Sequence, residues 1–260
     1  MRFSNIFSFL KFIFCVSAGV VLGYSAFSQV PAKNSVAYPD SYYVFRDNMY
    51  NSQGKTAADF EEEYKSVVAD INATKTGNEK QVLVARCDYV LGRAYRYLGI
   101  ESKATEYLDR AIESCKAILK KTEMAEAYVV YADSISQNCA IKPKTYGMTQ
   151  GPKIKSMAKK ALELDPKYGA AMYLYNSQNI FTPPPFCDYE EGMKNLSRLL
   201  DTDEFRMDKS DLYNAITAKG YCYLQQNMLK EAEFWYKKAL EIYPKNVATL
   251  DELKQIQKKK

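Results

Sequence analysis

The sequence of 260 residues contains no histidine. An imidazole is the usual base of Ser-His and Cys-His catalysis and a frequent metal ligand, so its absence excludes those mechanisms and every histidine-containing metal site. Catalysis by a pair of carboxylates would need two acids that converge. The runs Glu61-Glu62-Glu63 and Glu190-Glu191 are adjacent in sequence, so their side chains fan around a helix instead. The sequence therefore predicts a protein that is not an enzyme and that uses no cofactor and no metal.

Charged residues are scarce at the N-terminus, where only three precede Asp40. Residues 12–27 are apolar or small, and Ala26-Phe27-Ser28 fits the small-x-small pattern that signal peptidase recognises. This arrangement predicts a signal peptide over residues 1–28, a mature chain that begins at Gln29, and export to the bacterial periplasm or cell envelope, or secretion. A signal retained as a membrane anchor is the alternative and is the only membrane association that we expect.

The chain has little excess of either charge. Removing residues 1–28 takes away two basic residues and no acidic one, which lowers the net charge from +5 to +3. Such a balance, without a basic patch interleaved with aromatics, does not indicate a nucleic-acid partner. The terminal Lys258-Lys259-Lys260 run is typical of a solvated helix end.

Two segments of the chain repeat the same spacing of small and aromatic residues. In each, a Gly-x-x-Tyr motif is followed by alanines twelve and nineteen residues after the glycine. These positions are Gly92, Tyr95, Ala104 and Ala111 in the first segment, and Gly220, Tyr223, Ala232, Tyr236, Ala239 and Pro244 in the second. The pattern resembles the tetratricopeptide repeat (TPR), a pair of antiparallel helices in which small residues allow close packing.

The resemblance extends over four helical hairpins between Gln81 and Pro244, two regular and two modified. We expect an all-α protein, a short α-solenoid of TPR-like antiparallel hairpins over residues 81–260 with a C-terminal capping helix. Residues 29–80 are predicted to form an N-terminal extension with one or two helices, because Ala57–Ile71 is amphipathic.

The second hairpin is expected to carry an insertion of about ten residues, because more residues separate its repeat positions than separate the corresponding positions of the regular repeat. The Pro-, Gly-, Thr- and Lys-rich segment Asn138–Gly151 is interpreted as this loop, with the second helix beginning at Lys153. Cys139 lies within this loop, and Cys187 lies beside the Pro-rich turn of the next hairpin. A disulfide between these two residues and two free thiols are both compatible with the sequence, and free thiols are favoured.

The first helices of stacked hairpins line a concave face, which suits binding of a protein or peptide segment. Helical spacing predicts that the binding groove is formed by Tyr89, Arg93, Arg96, Tyr173, Ser177, Tyr221 and Gln225, with Val129, Val130 and Asp133 between them. The lysine/asparagine clamp by which some TPR proteins hold a terminal carboxylate is not matched, because Arg93 and Arg96 lack its partner residues. The sequence leaves the identity of the partner and the oligomeric state open.

A second likeness concerns three segments. Ala161–Tyr168, Thr182–Gly192 and Ala239–Asn246 are similar to segments of envelope TPR proteins associated with tripartite ATP-independent periplasmic (TRAP) transporters. This resemblance implies an accessory role beside a substrate-binding protein, as the alternative to a plain scaffold or adaptor. The sequence after the Pro-rich turn, Cys187-Asp188-Tyr189, departs from the acidic-plus-glycine pattern usual there.

Overall fold

The computed structural model describes residues 36–259, which fold into α-helices joined by short turns. The helices, in chain order, are α1 (Asp40–Tyr50), α2 (Ala57–Thr74), α3 (Gly77–Tyr97), α4 (Glu101–Leu119), α5 (Ala125–Cys139), α6 (Lys144–Leu164), α7 (Gly169–Phe181), α8 (Tyr189–Asp201), α9 (Lys209–Gln225), α10 (Leu229–Ile242) and α11 (Val247–Lys259). The prediction of an all-α chain is confirmed for this part of the protein.

Helices α3 to α10 form four antiparallel hairpins that stack in chain order, and α11 packs on the last hairpin. Each first helix (α3, α5, α7 and α9) contacts the next first helix, whereas the second helices share few or no such contacts. The first helices therefore form the inner layer of the stack. This is the predicted short α-solenoid of TPR-like hairpins.

Small residues set the distance between the two helices of a hairpin. A Cβ atom placed on Gly92 would lie 2.8 Å from Leu108 Cγ and 3.1 Å from the Ala104 carbonyl oxygen. A Cβ atom on Gly220 would lie 3.2 Å from the ring of Tyr236. Both glycines are buried, so any larger side chain would push the paired helices apart.

The other repeat positions also lie in the interior. Tyr95, Ala104, Ala111, Ala232, Tyr236 and Ala239 are at most 3% exposed, whereas Tyr223 is half-buried and Pro244 is exposed after the end of α10. Asn246 caps α11, since its side-chain oxygen accepts a hydrogen bond from the Thr249 amide at 3.1 Å. An amide at this position satisfies a backbone donor that the helix leaves free.

The segment interpreted as a loop in the second hairpin is largely helical, so that prediction was wrong. Helix α6 begins at Lys144 and runs through Pro152 without interruption. Proline has no N–H to donate to the carbonyl of Met148, four residues earlier. Pro152 and Met148 are both exposed, so water can bond to that carbonyl. The insertion thus lengthens a helix and leaves only a short turn.

The N-terminal extension provides two helices. Helix α2 begins with a capping box between Thr56 and Asp59 and packs on α3, while α1 contacts both α2 and α3. None of the helices within residues 36–259 is long and apolar enough to cross a membrane. The predicted signal peptide and its cleavage site lie outside the described residues.

Candidate functional site on the inner helical layer

Helix α1 lies against the inner layer of the hairpin stack. Tyr38, just before the helix, and Tyr42, Arg46 and Tyr50 are spaced by four residues and therefore share one side. Arg46 forms an ion pair with Asp208 at the start of α9. Part of the surface predicted to bind a partner is therefore already covered by the chain's own first helix.

Beneath the N-terminal end of α1 is a buried charge network. Arg86 on α3 pairs with Glu126 at 2.7 Å and with Asp133 at 2.6 Å, both from α5. Glu126 also accepts hydrogen bonds from the hydroxyls of Tyr38 and Tyr168. Each charge in this network has a polar partner, so the network does not present a binding surface. It joins α3 and α5 to the segment before α1 and to the start of α7.

Arg93 lies under the C-terminal end of α1. Its guanidinium donates to Tyr50 Oη at 2.7 Å, Tyr89 Oη at 3.1 Å and Asn214 Oδ1 at 3.3 Å. Arg93 and Tyr89 are buried, at 8% and 6% exposure. Of these two predicted groove residues, Tyr89 is held within the interior, while Arg93 also reaches the wall of a cavity.

That cavity, of 220 Å³, remains open beyond the end of α1. Its walls come from α3, the end of α7, α9, α10 and α11. It is lined by Arg93, Arg96, Tyr97, Phe181, Tyr213, Thr217, Ala218, Tyr221, Tyr236, Ala248, Thr249 and Glu252. Three predicted groove residues, Arg93, Arg96 and Tyr221, are thus brought together at one site.

The remaining predicted groove residues do not line it. Ser177 is buried, and its hydroxyl donates to the Leu174 carbonyl oxygen of its own helix at 2.7 Å. Tyr173 is half-buried and Gln225 is exposed at the end of α9. On α5, Val129 and Val130 are fully buried in the core, while Asp133 is bound by Arg86.

Sequence reasoning missed several cavity residues. Tyr97 follows Arg96 at the end of α3, and Phe181 is the last residue of α7 with 45% of its surface exposed. Glu252 comes from α11, for which the sequence predicts only a capping role. An aromatic residue at a helix end and an acid on a terminal helix carry no periodic signal, so only the tertiary arrangement reveals them.

The cavity combines aromatic walls with charges of both signs. The pKa of Arg96 is lowered by burial and by neighbouring Arg93, whereas burial raises the pKa of Glu252.

The residues of the described part of the chain form no cluster of acids and cysteines able to hold a metal. Cys139 and Cys187 are free thiols in this structure.

Residues 213–246 match the family model of the tetratricopeptide repeat. The match covers most of α9, all of α10 and the cap of α11, which is the second of the two regular repeats read from the sequence. Together with the stacked hairpins, this match supports a TPR protein, and TPR domains generally bind protein partners. No curated protein matches the chain, and neither comparison supports the likeness to TRAP-associated proteins.

Proposed function

We propose that this TPR protein is an exported scaffold that binds a partner protein, and that the contact is made at the cavity beyond the end of α1. The observation that carries the proposal is the set of partly open aromatic side chains there, led by Tyr221, Tyr97 and Phe181. Aromatic and arginine side chains that surround a concave site are the usual anchors of protein interfaces. The rest of the inner layer near α1 is occupied within the chain itself.

The proposed location in the bacterial envelope rests on the N-terminal sequence. Residues 1–28 combine two basic residues, an apolar run and a small-x-small end, which is the pattern of a cleaved signal. Sequencing of the native protein's N-terminus should read from Gln29. A protein that begins at Met1 and fractionates with the cytoplasm would contradict export.

Site-specific photocrosslinking in cells tests the binding site. A benzoylphenylalanine in place of Tyr221 should crosslink to a defined partner, which mass spectrometry of the crosslinked band identifies. The matched control is the same substitution at Phe234, an exposed aromatic residue of α10 that lies outside the cavity. Crosslinks to the same protein from both positions, or from Phe234 alone, would place the interface elsewhere.

A further inference from the structure

The second helix of the second hairpin, α6, is the most basic of the hairpin helices. It contains five lysines and one acid, Glu163, so its net charge is +4. The second helices of the other hairpins are nearly balanced: α4 has three basic and four acidic residues, α8 has two and three, and α10 has three of each. The positive charge of the outer layer is therefore concentrated on one helix.

The charge of α6 is not neutralised within residues 36–259. Lys159 is the only one of the five lysines with an acidic partner there, and its Nζ lies 3.9 Å from Glu163 Oε1. These two side chains are 70% and 63% exposed, so water screens the contact. Lys153 donates to the uncharged side chain of Gln150 on the same helix. Most of the positive charge thus faces solvent without an opposing charge.

Tyrosines of the inner layer flank α6 on both sides. Lys155 Nζ lies 5.0 Å from the centre of the Tyr175 ring on α7, and Lys160 Nζ lies 5.4 Å from that of Tyr128 on α5. Glu123 accepts a hydrogen bond from the Tyr128 hydroxyl at 3.2 Å but forms no ion pair with Lys160. A ring holds an ammonium group without cancelling its charge, so both lysines add to the same positive field.

The exposed side of α6 presents these lysines as a continuous surface. Lys144, Met148 and Lys159 lie along one edge of it, and Lys153 and Lys160, seven residues apart, lie along the other. No acid occurs between Lys144 and Lys160, which are about 24 Å apart along the helix axis. Met148 is 77% exposed, more than any other large apolar side chain within residues 36–259. We call the four exposed lysines and Met148 the basic face.

No other helix of the stack covers the basic face. Helix α6 packs mainly on α5 and α7, which lie on its buried side. Sequence analysis did not predict this face, because a segment interpreted as a loop has no periodic sides. The first lysine of the face, Lys144, lies within that segment, and helical structure aligns it with the lysines that follow.

We propose that the basic face docks the protein on an anionic lipid bilayer, with its four lysines at the phospholipid headgroups and Met148 at the boundary of the acyl chains. The inference goes beyond the proposed function, because it concerns the outer layer of the stack and not the cavity. It also adds a second membrane contact to the one that the sequence predicts, a retained signal.

Charge complementarity and shape favour a bilayer as the occupant. A surface of about 24 Å is too long for one small anion, whereas an anionic leaflet presents charge over any length. Helix α6 contains lysine and no arginine. Lysine attracts headgroups as a flexible point charge, while arginine is the residue enriched at specific protein contacts. An apolar side chain beside the lysines can enter the boundary below the headgroups.

Vesicle binding tests the proposal with the full chain. Vesicles of phosphatidylcholine with about 30% phosphatidylglycerol are compared with vesicles of phosphatidylcholine alone, at about 0.1 M salt. We expect sedimentation to show at least about tenfold stronger binding to the anionic vesicles, because each lysine near the leaflet strengthens binding about fivefold. Salt at about 0.5 M should abolish the difference. Equal binding to the two kinds of vesicle would overturn the proposal.

Two variants with the same change in net charge make the result specific, and both retain residues 1–28. The test variant carries Lys144→Gln, Lys153→Gln, Lys159→Gln and Lys160→Gln. The control variant changes exposed lysines of α10 and α11 and carries Lys230→Gln, Lys237→Gln, Lys254→Gln and Lys258→Gln. The test variant should bind anionic vesicles at least about tenfold more weakly, and the control variant less than about twofold. Equal losses would show a general effect of charge and reject the basic face.

A probe at Met148 locates the contact. An environment-sensitive fluorescent amino acid in its place should shift its emission to shorter wavelength on anionic vesicles, as the probe leaves water. The same amino acid at Phe234, the exposed aromatic residue of α10, should not respond. A response at Phe234 alone would place the membrane contact on another surface.

An acidic protein is the competing occupant, and polyglutamate serves as its probe. Binding of polyglutamate that needs the four lysines, without a preference for anionic vesicles, would assign the face to an acidic protein and reject the bilayer. The crosslink from Tyr221 should persist in both lysine variants, since the cavity lies at the inner layer. Its loss in an otherwise lipid-binding protein would count against the proposed function alone.

Discussion

The ring of Tyr50 at the end of α1 stacks on the ring of Tyr243 after α10, with centroids 4.6 Å apart and planes 6° from parallel. The side-chain amide of Asn246 donates to the Tyr50 carbonyl oxygen at 2.8 Å. The Tyr243 hydroxyl donates to Asp47 of α1 at 2.7 Å. The first helix and the last hairpin are therefore joined directly, in addition to the contacts between successive helices.

Replacing Tyr50 with alanine should destabilise the whole stack. The change removes a fully buried ring, and we expect it to lower the free energy of unfolding by about 3–5 kcal/mol. Tyr50→Phe keeps the ring but removes a hydroxyl bonded to Arg93 and Asn214, with an expected loss of about 1–3 kcal/mol. Urea denaturation followed by circular dichroism gives both values. A Tyr50→Ala protein as stable as the parent would mean that α1 adds nothing to stability.

The close helix contact at Gly92 predicts opposite effects for two glycine substitutions. Gly92→Ala should destabilise by about 1–3 kcal/mol, because the new Cβ would overlap Leu108 and the Ala104 carbonyl. Gly147→Ala, within α6, is the control: its Cβ would meet only Cys139 Sγ, at 4.0 Å. Alanine there should stabilise by about 0.5–1 kcal/mol through helix propensity. Equal effects of the two changes in a thermal melt would show that the hairpin contact is not tight.

The hairpins could be predicted from the sequence because their packing imposes local spacing. Gly92 lies against Ala104, and Gly220 lies against Tyr236, across two helices joined by a short turn, which fixes these intervals in the chain. Pro152 favours a loop in the sequence, yet it lies inside α6. The free-energy cost of a proline in a helix depends on whether the carbonyl four residues earlier can bond to water. That exposure is a tertiary property, which residue types do not record.

The buried network around Arg86 should be sensitive to loss of one charge. Glu126→Gln should lower the free energy of unfolding by about 3 kcal/mol, because Arg86 keeps only Asp133 as an ionic partner. The Arg86→Met/Glu126→Leu double variant should lose less than the sum of its single changes, by about 1–3 kcal/mol. These values come from urea denaturation of five proteins: the parent, Glu126→Gln, Arg86→Met, Glu126→Leu and the double variant.

An exposed pair provides the comparison for that cycle. Glu113→Gln removes the surface contact with Lys116 on α4, for which we expect a loss of at most about 0.5 kcal/mol. Additive effects of the Arg86 and Glu126 changes would show that these two side chains do not interact in solution.

The attachment of α1 should weaken in acid. Burial by itself raises the pKa of Asp47, but contacts with Arg46, Lys209 and Tyr243 outweigh it and hold the pKa below its ordinary value. A carboxyl group of this kind adds stability that is present above its unfolded pKa of about 3.9 and is lost as the pH falls through the folded pKa.

Asp47→Asn should therefore cost about 1–2 kcal/mol at pH 7 and progressively less below about pH 4. The difference between the parent and variant unfolding free energies, measured from pH 7 to pH 3, isolates this carboxylate from the general effect of acid. A difference that stays constant over this range would exclude a charge-dependent role for Asp47.

The candidate site was predictable only in part. Helical spacing indicated that Arg93, Arg96 and Tyr221 would lie on the inner layer, since that follows from the hairpin geometry alone. It gave no information on what would cover Tyr89. The four-residue spacing of Tyr42, Arg46 and Tyr50 defines one face of α1, but it does not say which surface that face meets. That pairing joins opposite ends of the chain and leaves no local pattern.

The contact between α1 and the last hairpin has a consequence for the order of events during synthesis. Helix α1 leaves the ribosome early, yet Tyr243 and Asn246, which hold Tyr50, are made about 200 residues later. At usual rates of translation, this interval is about 10–40 s. The earlier hairpins can stack on their neighbours as they emerge, because their contacts are local. The aromatic face of α1 must therefore remain uncovered by Tyr243 and Asn246 until the last hairpin has been made.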